Sequence, residues 1–157
     1  MKTITPCLWF DTEGEDAARF YTSVFPNSKI TNIAYYGSAG PRREGTVMTV
    51  DFELDGQPYV ALNGGPDFRF NEAVSFQILC ETQEEVDRYW TTLSDGGEQG
   101  PCGWLKDRFG LSWQIIPTAL PRLLGDRDRE KAQRVMAAML KMRKIEIDEL
   151  ERAAAQA

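Results

Sequence analysis

Apolar and polar positions fall in a repeating order of short strands and a single amphipathic helix. Ile4-Thr5-Pro6-Cys7-Leu8-Trp9-Phe10 is a short apolar run of extended character, and Pro6 near its start suits a strand beginning or an edge. Asp11 to Asp16 make a cap-rich turn, with Asp11 expected to help cap the helix that follows. Ala17, Ala18, Phe20, Tyr21, Val24 and Phe25 then recur at helical spacing until Pro26-Asn27-Ser28 ends the pattern. Ile30 to Tyr36 reads as a strand, and Gly37 to Gly45 as a polar, glycine-rich loop carrying Arg42 and Arg43. Val47 to Leu54 and Tyr59 to Leu62 flank Asp55-Gly56, a strong hairpin signal.

The second half repeats this order. At an offset of 69 residues, Glu15-Asp16-Ala17-Ala18-Arg19-Phe20-Tyr21-Thr22 faces Glu84-Glu85-Val86-Asp87-Arg88-Tyr89-Trp90-Thr91, each after an apolar strand. The second such strand is Val74 to Cys80. At an offset of 54, Tyr59-Val60-Ala61-Leu62 matches Trp113-Gln114-Ile115-Ile116. Strand, helix and hairpin in the same sequence indicate duplication. The expected fold is α+β: two βαβββ units, about 1–65 and 72–118, forming curved mixed sheets around a cavity lined by alternate strand residues. Together they make a domain over 1–121, followed by a helical extension over 122–157. There Asp128 can cap one helix, and Asp148 with Glu151 looks like the cap of another. Met136, Met139, Leu140, Ile145, Ile147 and Leu150 form an apolar set that packs on its own chain or on a partner; a homodimer is expected.

Composition narrows the chemistry. The 157 residues contain no histidine. That excludes Ser-His-Asp and Cys-His triads, a histidine base near neutral pH and a two-histidine metal triad. Three cysteines, Cys7, Cys80 and Cys102, make no disulfide framework and suit a reducing cytoplasm. Net charge is −6, and the excess of acid lies in residues 1–121. An acidic body repels phosphate backbones, so nucleic acid is not an expected partner. No apolar run approaches the ~20 residues of a membrane span, and Met1-Lys2-Thr3-Ile4 lacks a signal peptide's apolar core. The expected location is the cytoplasm, with no membrane partner.

Three stretches carry a family likeness: Ile4 to Asp11, Ala17 to Tyr21, and above all Gly103-Trp104-Leu105-Lys106-Asp107-Arg108-Phe109-Gly110-Leu111-Ser112-Trp113-Gln114-Ile115. They resemble PhnB-like proteins of the vicinal oxygen chelate superfamily, which includes glyoxalase I, extradiol dioxygenases and bleomycin and fosfomycin resistance proteins. Sequences of this group often carry the name 3-demethylubiquinone-9 3-methyltransferase. The resemblance implies the glyoxalase/bleomycin resistance fold and commonly a homodimer. In its metal-using relatives, ligands come from the first and last strands of each unit. Here those positions fall among Ile4, Thr5 and Pro6, near Ser75, and at Gln114 in place of a carboxylate. Neutral amide and hydroxyl groups hold a divalent ion poorly, so neither a metal nor another cofactor is expected. The methyltransferase name lacks a glycine-rich turn of Rossmann type: Asn63-Gly64-Gly65-Pro66 follows a hairpin strand and opens no crossover helix.

The candidate ligand-binding residues are Cys7, Trp9, Trp104, Trp113 and Gln114, with no catalytic residue assigned. Gln114 alternates with Trp113 and Ile115 and so faces the cavity. Trp9, Trp104 and Trp113 could line it for a planar ligand, or pack as core. Cys7 and Cys80, on the first strands of the two units at nearly equivalent places, read as buried small hydrophobes, and Cys102 as the more reactive loop thiol. Arg42, Arg43 and Arg69 could clamp an anion or remain solvated. Asp107 is expected to fix the turn before Phe109-Gly110. The residues leave open a small-molecule-binding protein, an enzyme acting on a small organic substrate (methyl transfer by family name) and a scaffold dimer with a filled cavity.

Overall fold

The computed structural model describes residues 4–156, so the reading of Met1 to Thr3 lies outside the described residues. The chain forms two compact units, Met1–Phe70 and Asn71–Ala157. In the first, β1 (Cys7–Phe10) leads to α1 (Gly14–Val24), then β2 (Lys29–Tyr35), β3 (Val47–Leu54) and β4 (Gln57–Asn63). Its sheet has the order β1-β4-β3-β2, with β1 parallel to β4 and the other pairs antiparallel. The β3–β4 turn is the Asp55-Gly56 step, where both residues have positive φ, 47° and 78°. That backbone twist matches the twist of the flanking strands, which is why this dipeptide makes a two-residue hairpin.

The second unit repeats the plan: β5 (Ser75–Cys80), α2 (Gln83–Ser94), β6 (Glu98–Gln99), β7 (Trp104–Lys106) and β8 (Ser112–Pro117). The sheet order β5-β8-β7-β6 and the parallel β5–β8 pairing reproduce those of the first unit. The tandem βαβββ expectation is met. Each sheet buries one face beneath its helix. In the first unit this face holds Phe10, Val50, Phe52 and Ala61 against Ala17, Ala18 and Tyr21; in the second, Leu105, Trp113 and Ile115 with Val86, Tyr89 and Leu93 of α2. The alternate residues point to the other, more open face.

Helix ends show where local reading stops. Thr82 caps α2 by accepting from Glu85 N–H, and Asp128 caps α4 (Arg129–Met139) by accepting from Glu130 and Lys131 N–H. Asp11 does not cap α1; it lies 3.6 Å from Arg42 instead. The first N–H of α1, on Gly14, donates to Asn63 Oδ1 at 2.8 Å from 49 residues away. Likewise α5 (Ile147–Ala155) starts after Glu146, so Asp148 lies in its first turn and is not its cap.

The extension packs within the second unit. α3 (Ala119–Leu124), α4 and α5 surround Leu120, Leu123, Val135, Met142, Ile145 and Leu150, joined to Ile116 of β8. Each fully buried aliphatic side chain contributes roughly 1.5–3 kcal/mol. Of the apolar set expected to pack on its own chain or on a partner, Ile145 and Leu150 are buried here and Met139 packs against them, while Leu140 stays 62% exposed. Gln83 ties this tail to α2: its amide donates to Ile145 C=O and Asp87, and its oxygen accepts from Ile147 N–H at 2.7 Å.

Candidate functional site

A polar constellation lies on the open face of the second sheet. Register places Ser75 beside Ser112, Gln77 beside Gln114, and Trp104 across from Gln114. Gln114 Nε2 donates to Ser75 Oγ at 2.7 Å, and Gln77 Nε2 donates to Gln114 Oε1 at 3.3 Å. Two amides and a hydroxyl thus form a ladder across β5 and β8, flanked by the half-buried indole of Trp104. Lys106, one alternation along β7, is ion-paired with Glu72. That contact holds the Glu72 carboxyl below its usual range and the Lys106 ammonium above its own.

Gln77 was missing from the sequence reading. Its signal was the polar interruption of an apolar strand, but only pairing of β5 with β8 sets it beside Gln114. The matching positions in the first unit, Cys7 beside Val60, carry no amide. The same fold positions therefore hold polar groups in one copy and apolar or thiol groups in the other.

The remaining candidates are dispersed. Trp113 is only 3% exposed, on the helix-facing side, and donates its indole N–H to Asp107 Oδ2 at 2.9 Å. Asp107, itself 2% exposed, also accepts from Phe109 N–H and Leu111 N–H. The expected turn-fixing role of Asp107 is thus built, and Trp113 takes the core alternative and not a place on the Gln114 face. Trp9 belongs to the first unit: its indole donates to Gly65 C=O at 2.9 Å and its ring meets Phe68 edge-on. Gly64 lies so close beneath that ring that an added Cβ would come within 2.4 Å of it.

The cysteines depart from expectation. Cys7 opens β1 and is exposed, whereas Cys80 closes β5 and is buried, so the two are not at equivalent places and only Cys80 is a buried hydrophobe. Partial desolvation still raises the Cys7 thiol, and burial pushes Cys80 up to about 11. Cys102 sits in a left-handed turn with φ 57°, its N–H donating to Met142 C=O and its thiol lying 3.7 Å from Met139 C=O. Arg42 and Arg43 line a cleft of about 670 Å³ in the first unit with Asp11, Glu15 and Asp16, a mixed-charge setting that does not single out an anion.

The donor set does not fit the divalent metal of the superfamily. Gln114, Gln77 and Ser75 bring no charge, and among the described residues no three His, Cys, Asp or Glu side chains converge on a metal-sized site. No helix among the described residues is long and apolar enough to cross a membrane.

Comparison with known proteins places this geometry. Residues 2–116 match the family model of 3-demethylubiquinone-9 3-methyltransferase. A solved PhnB protein from Bacillus cereus, provisionally named for the same activity, is 35% identical; the alignment covers 74% of this chain and 100% of that one, with a TM-score of 0.67. Protein PA1353 from Pseudomonas aeruginosa is 17% identical over 74% of this chain and 98% of its own, at a TM-score of 0.61. The fosfomycin resistance protein FosX from Listeria monocytogenes is 14% identical over 80% and 98%, at 0.55; these last two share the fold alone. No curated protein matches the chain. The family model over residues 2–116 and the 35% identity with the Bacillus cereus protein establish that the chain, with its tandem βαβββ units of the glyoxalase/bleomycin resistance fold, belongs to the PhnB-like 3-demethylubiquinone-9 3-methyltransferase family.

Proposed function

We propose that the protein binds a small organic molecule on the open face of the β5-β8-β7-β6 sheet without a resident metal, acting as a homodimer in the cytoplasm. The observation that carries this reading is the amide ladder, Gln77 to Gln114 to Ser75, in which Gln114 stands at the final-strand position that the resemblance assigns to a carboxylate in metal-using relatives. Such a ladder recognises a ligand by hydrogen bonds: exposed Gln77 and half-buried Gln114 each carry donor and acceptor groups, with the Trp104 indole beside them. Binding without turnover follows from what the face lacks, namely a histidine base and, on the ladder itself, any group that titrates near neutral pH.

Native mass spectrometry with elemental analysis of the same sample tests this reading. A metal-free dimer with an added organic mass, lost in Gln114→Ala, supports it; about one metal per chain overturns it. The family match supports a second reading, methyl transfer. Product formation from S-adenosylmethionine and a phenolic acceptor, abolished in Gln114→Ala with the fold intact, would replace binding by catalysis.

A further inference from the structure

The β6–β7 end of the second sheet carries a cavity of about 400 Å³, a volume within the range of small-molecule sites. None of Gln77, Gln114 and Ser75 lines it, so its occupant is recognised without the amide ladder, with which it shares only the Trp104 indole. That half-buried indole and Pro101 form the apolar wall. Gly100 sits opposite Trp104 and donates its N–H to Trp104 C=O at 2.8 Å. A Cβ on Gly100 would come within 2.9 Å of that oxygen and 3.5 Å of the Trp104 Cβ, so glycine keeps open the space beside the tryptophan.

Three charged residues line the cavity, Glu72, Glu98 and Lys106. Lys106 is ion-paired with Glu72, which neutralises both. Glu98 lies opposite Lys106 in the β6–β7 register but forms no ion pair of its own among the described residues. Trp104 precedes Lys106 by two residues on the same side of β7. Glu98 and Trp104 are therefore diagonal neighbours, a separation of about 7–8 Å that long side chains span. A surplus carboxylate thus stands beside an indole.

That arrangement selects by charge. An anion is repelled by Glu98. A bare ammonium holds a tight hydration shell that the apolar wall cannot replace. A methylated ammonium spreads its charge over methyl groups, which pack on apolar surface, and it is attracted both by the π face of tryptophan and by a carboxylate. We propose that this cavity binds a small organic cation of the methylated-ammonium class, its methyl groups packed on Trp104 and Pro101 and its charge balanced by Glu98.

The test is a titration of the ¹⁵N-labelled full chain with choline and with dimethylbutanol, the uncharged analogue in which carbon replaces the nitrogen. Choline is expected to give saturable shifts at the Trp104 indole N–H and at the Gly100 and Lys106 amides. It should bind about 10-fold more tightly than the alcohol, the effect of a cation held over an indole. Trp104→Leu keeps apolar bulk and removes the π face, so it should erase most of that difference. Glu98→Gln, at an exposed position where the fold is not at stake, should weaken choline about 3-fold and leave the alcohol unchanged. Equal affinity for choline and the alcohol would overturn the cationic class. Choline binding that survives both substitutions, or that shifts only Gln77 and Gln114, would overturn the site. No saturable shift with choline would overturn the proposal outright. The ladder is tested separately, by the loss of a retained mass in Gln114→Ala.

Discussion

Replacing Asp107 by alanine removes one acceptor group that serves three donors: Phe109 N–H at 2.8 Å, Leu111 N–H at 3.1 Å and Trp113 Nε1–H at 2.9 Å. Phe109 lies in a partly exposed turn, where water can replace the carboxylate. Leu111 and Trp113 are buried, so their two donors would be stranded in the core at about 1–3 kcal/mol each. Relief of the carboxylate's own burial offsets part of that loss. The net expectation is about 3 kcal/mol of destabilisation, confined to the second unit. Asp107→Asn keeps one acceptor and should cost about half as much by the same hydrogen-bond reasoning. Urea unfolding of the wild type, Asp107→Ala, Trp113→Phe and the double variant closes a cycle whose coupling should be about 1–2 kcal/mol. A cost for Asp107→Ala below ~1 kcal/mol, or a coupling indistinguishable from zero, would refute the view that this carboxylate organises the hairpin.

Gln83→Ala should loosen the tail: losing the contacts to Ile145 and Ile147 is expected to cost about 1–3 kcal/mol and to speed amide exchange in α5 ahead of the two sheets. Thiol labelling at pH 7.5 should modify exposed Cys7 first. Cys80, with its pKa raised to about 11 and its side chain buried, should react only on unfolding, and labelling of Cys80 in the folded protein would contradict that placement. Acid should erode stability below about pH 4. Hydrogen bonds from Gln83 and Lys144 hold the Asp87 carboxyl low, and Lys131 does the same for Asp126, so the unfolded chain binds more protons as the pH falls and those contributions vanish on protonation. These groups lie near the surface, so Tm between pH 6 and pH 3 should fall less steeply at high salt and in Lys144→Ala; an unchanged slope would show that other carboxylates govern the acid limb.

Much of this fold was legible because its signals are local. The Asp55-Gly56 hairpin, the Asp128 cap and the twice-repeated helix are each specified within a few residues. Asn63 capping α1 from 49 residues away, and Arg42 rather than α1 engaging Asp11, depend on tertiary approach that no short window encodes. At the candidate site, alternation alone put Gln114 opposite in sense to Trp113. Gln77 stayed hidden because strand register, not composition, sets it beside Gln114. Residue type left Trp113 open between ligand wall and core, and the structure takes the core alternative, with its indole N–H committed to Asp107.

The Asp107–Trp113 bond bears on how names travel between related chains. The stretch that makes this sequence recognisable, Gly103 to Ile115, includes a carboxylate and an indole whose visible work is to close a turn and seat a strand. Recognition through those residues transmits an architecture. Asp107 and Trp113 carry no commitment about the opposite face of the strand, where Gln114, though part of the same stretch, bonds with Ser75 and Gln77 and not with the turn. Inheritance of the hairpin and inheritance of a reaction are therefore separable events. A biochemical title passed along with the hairpin has to be re-earned at the sheet face of each chain that receives it.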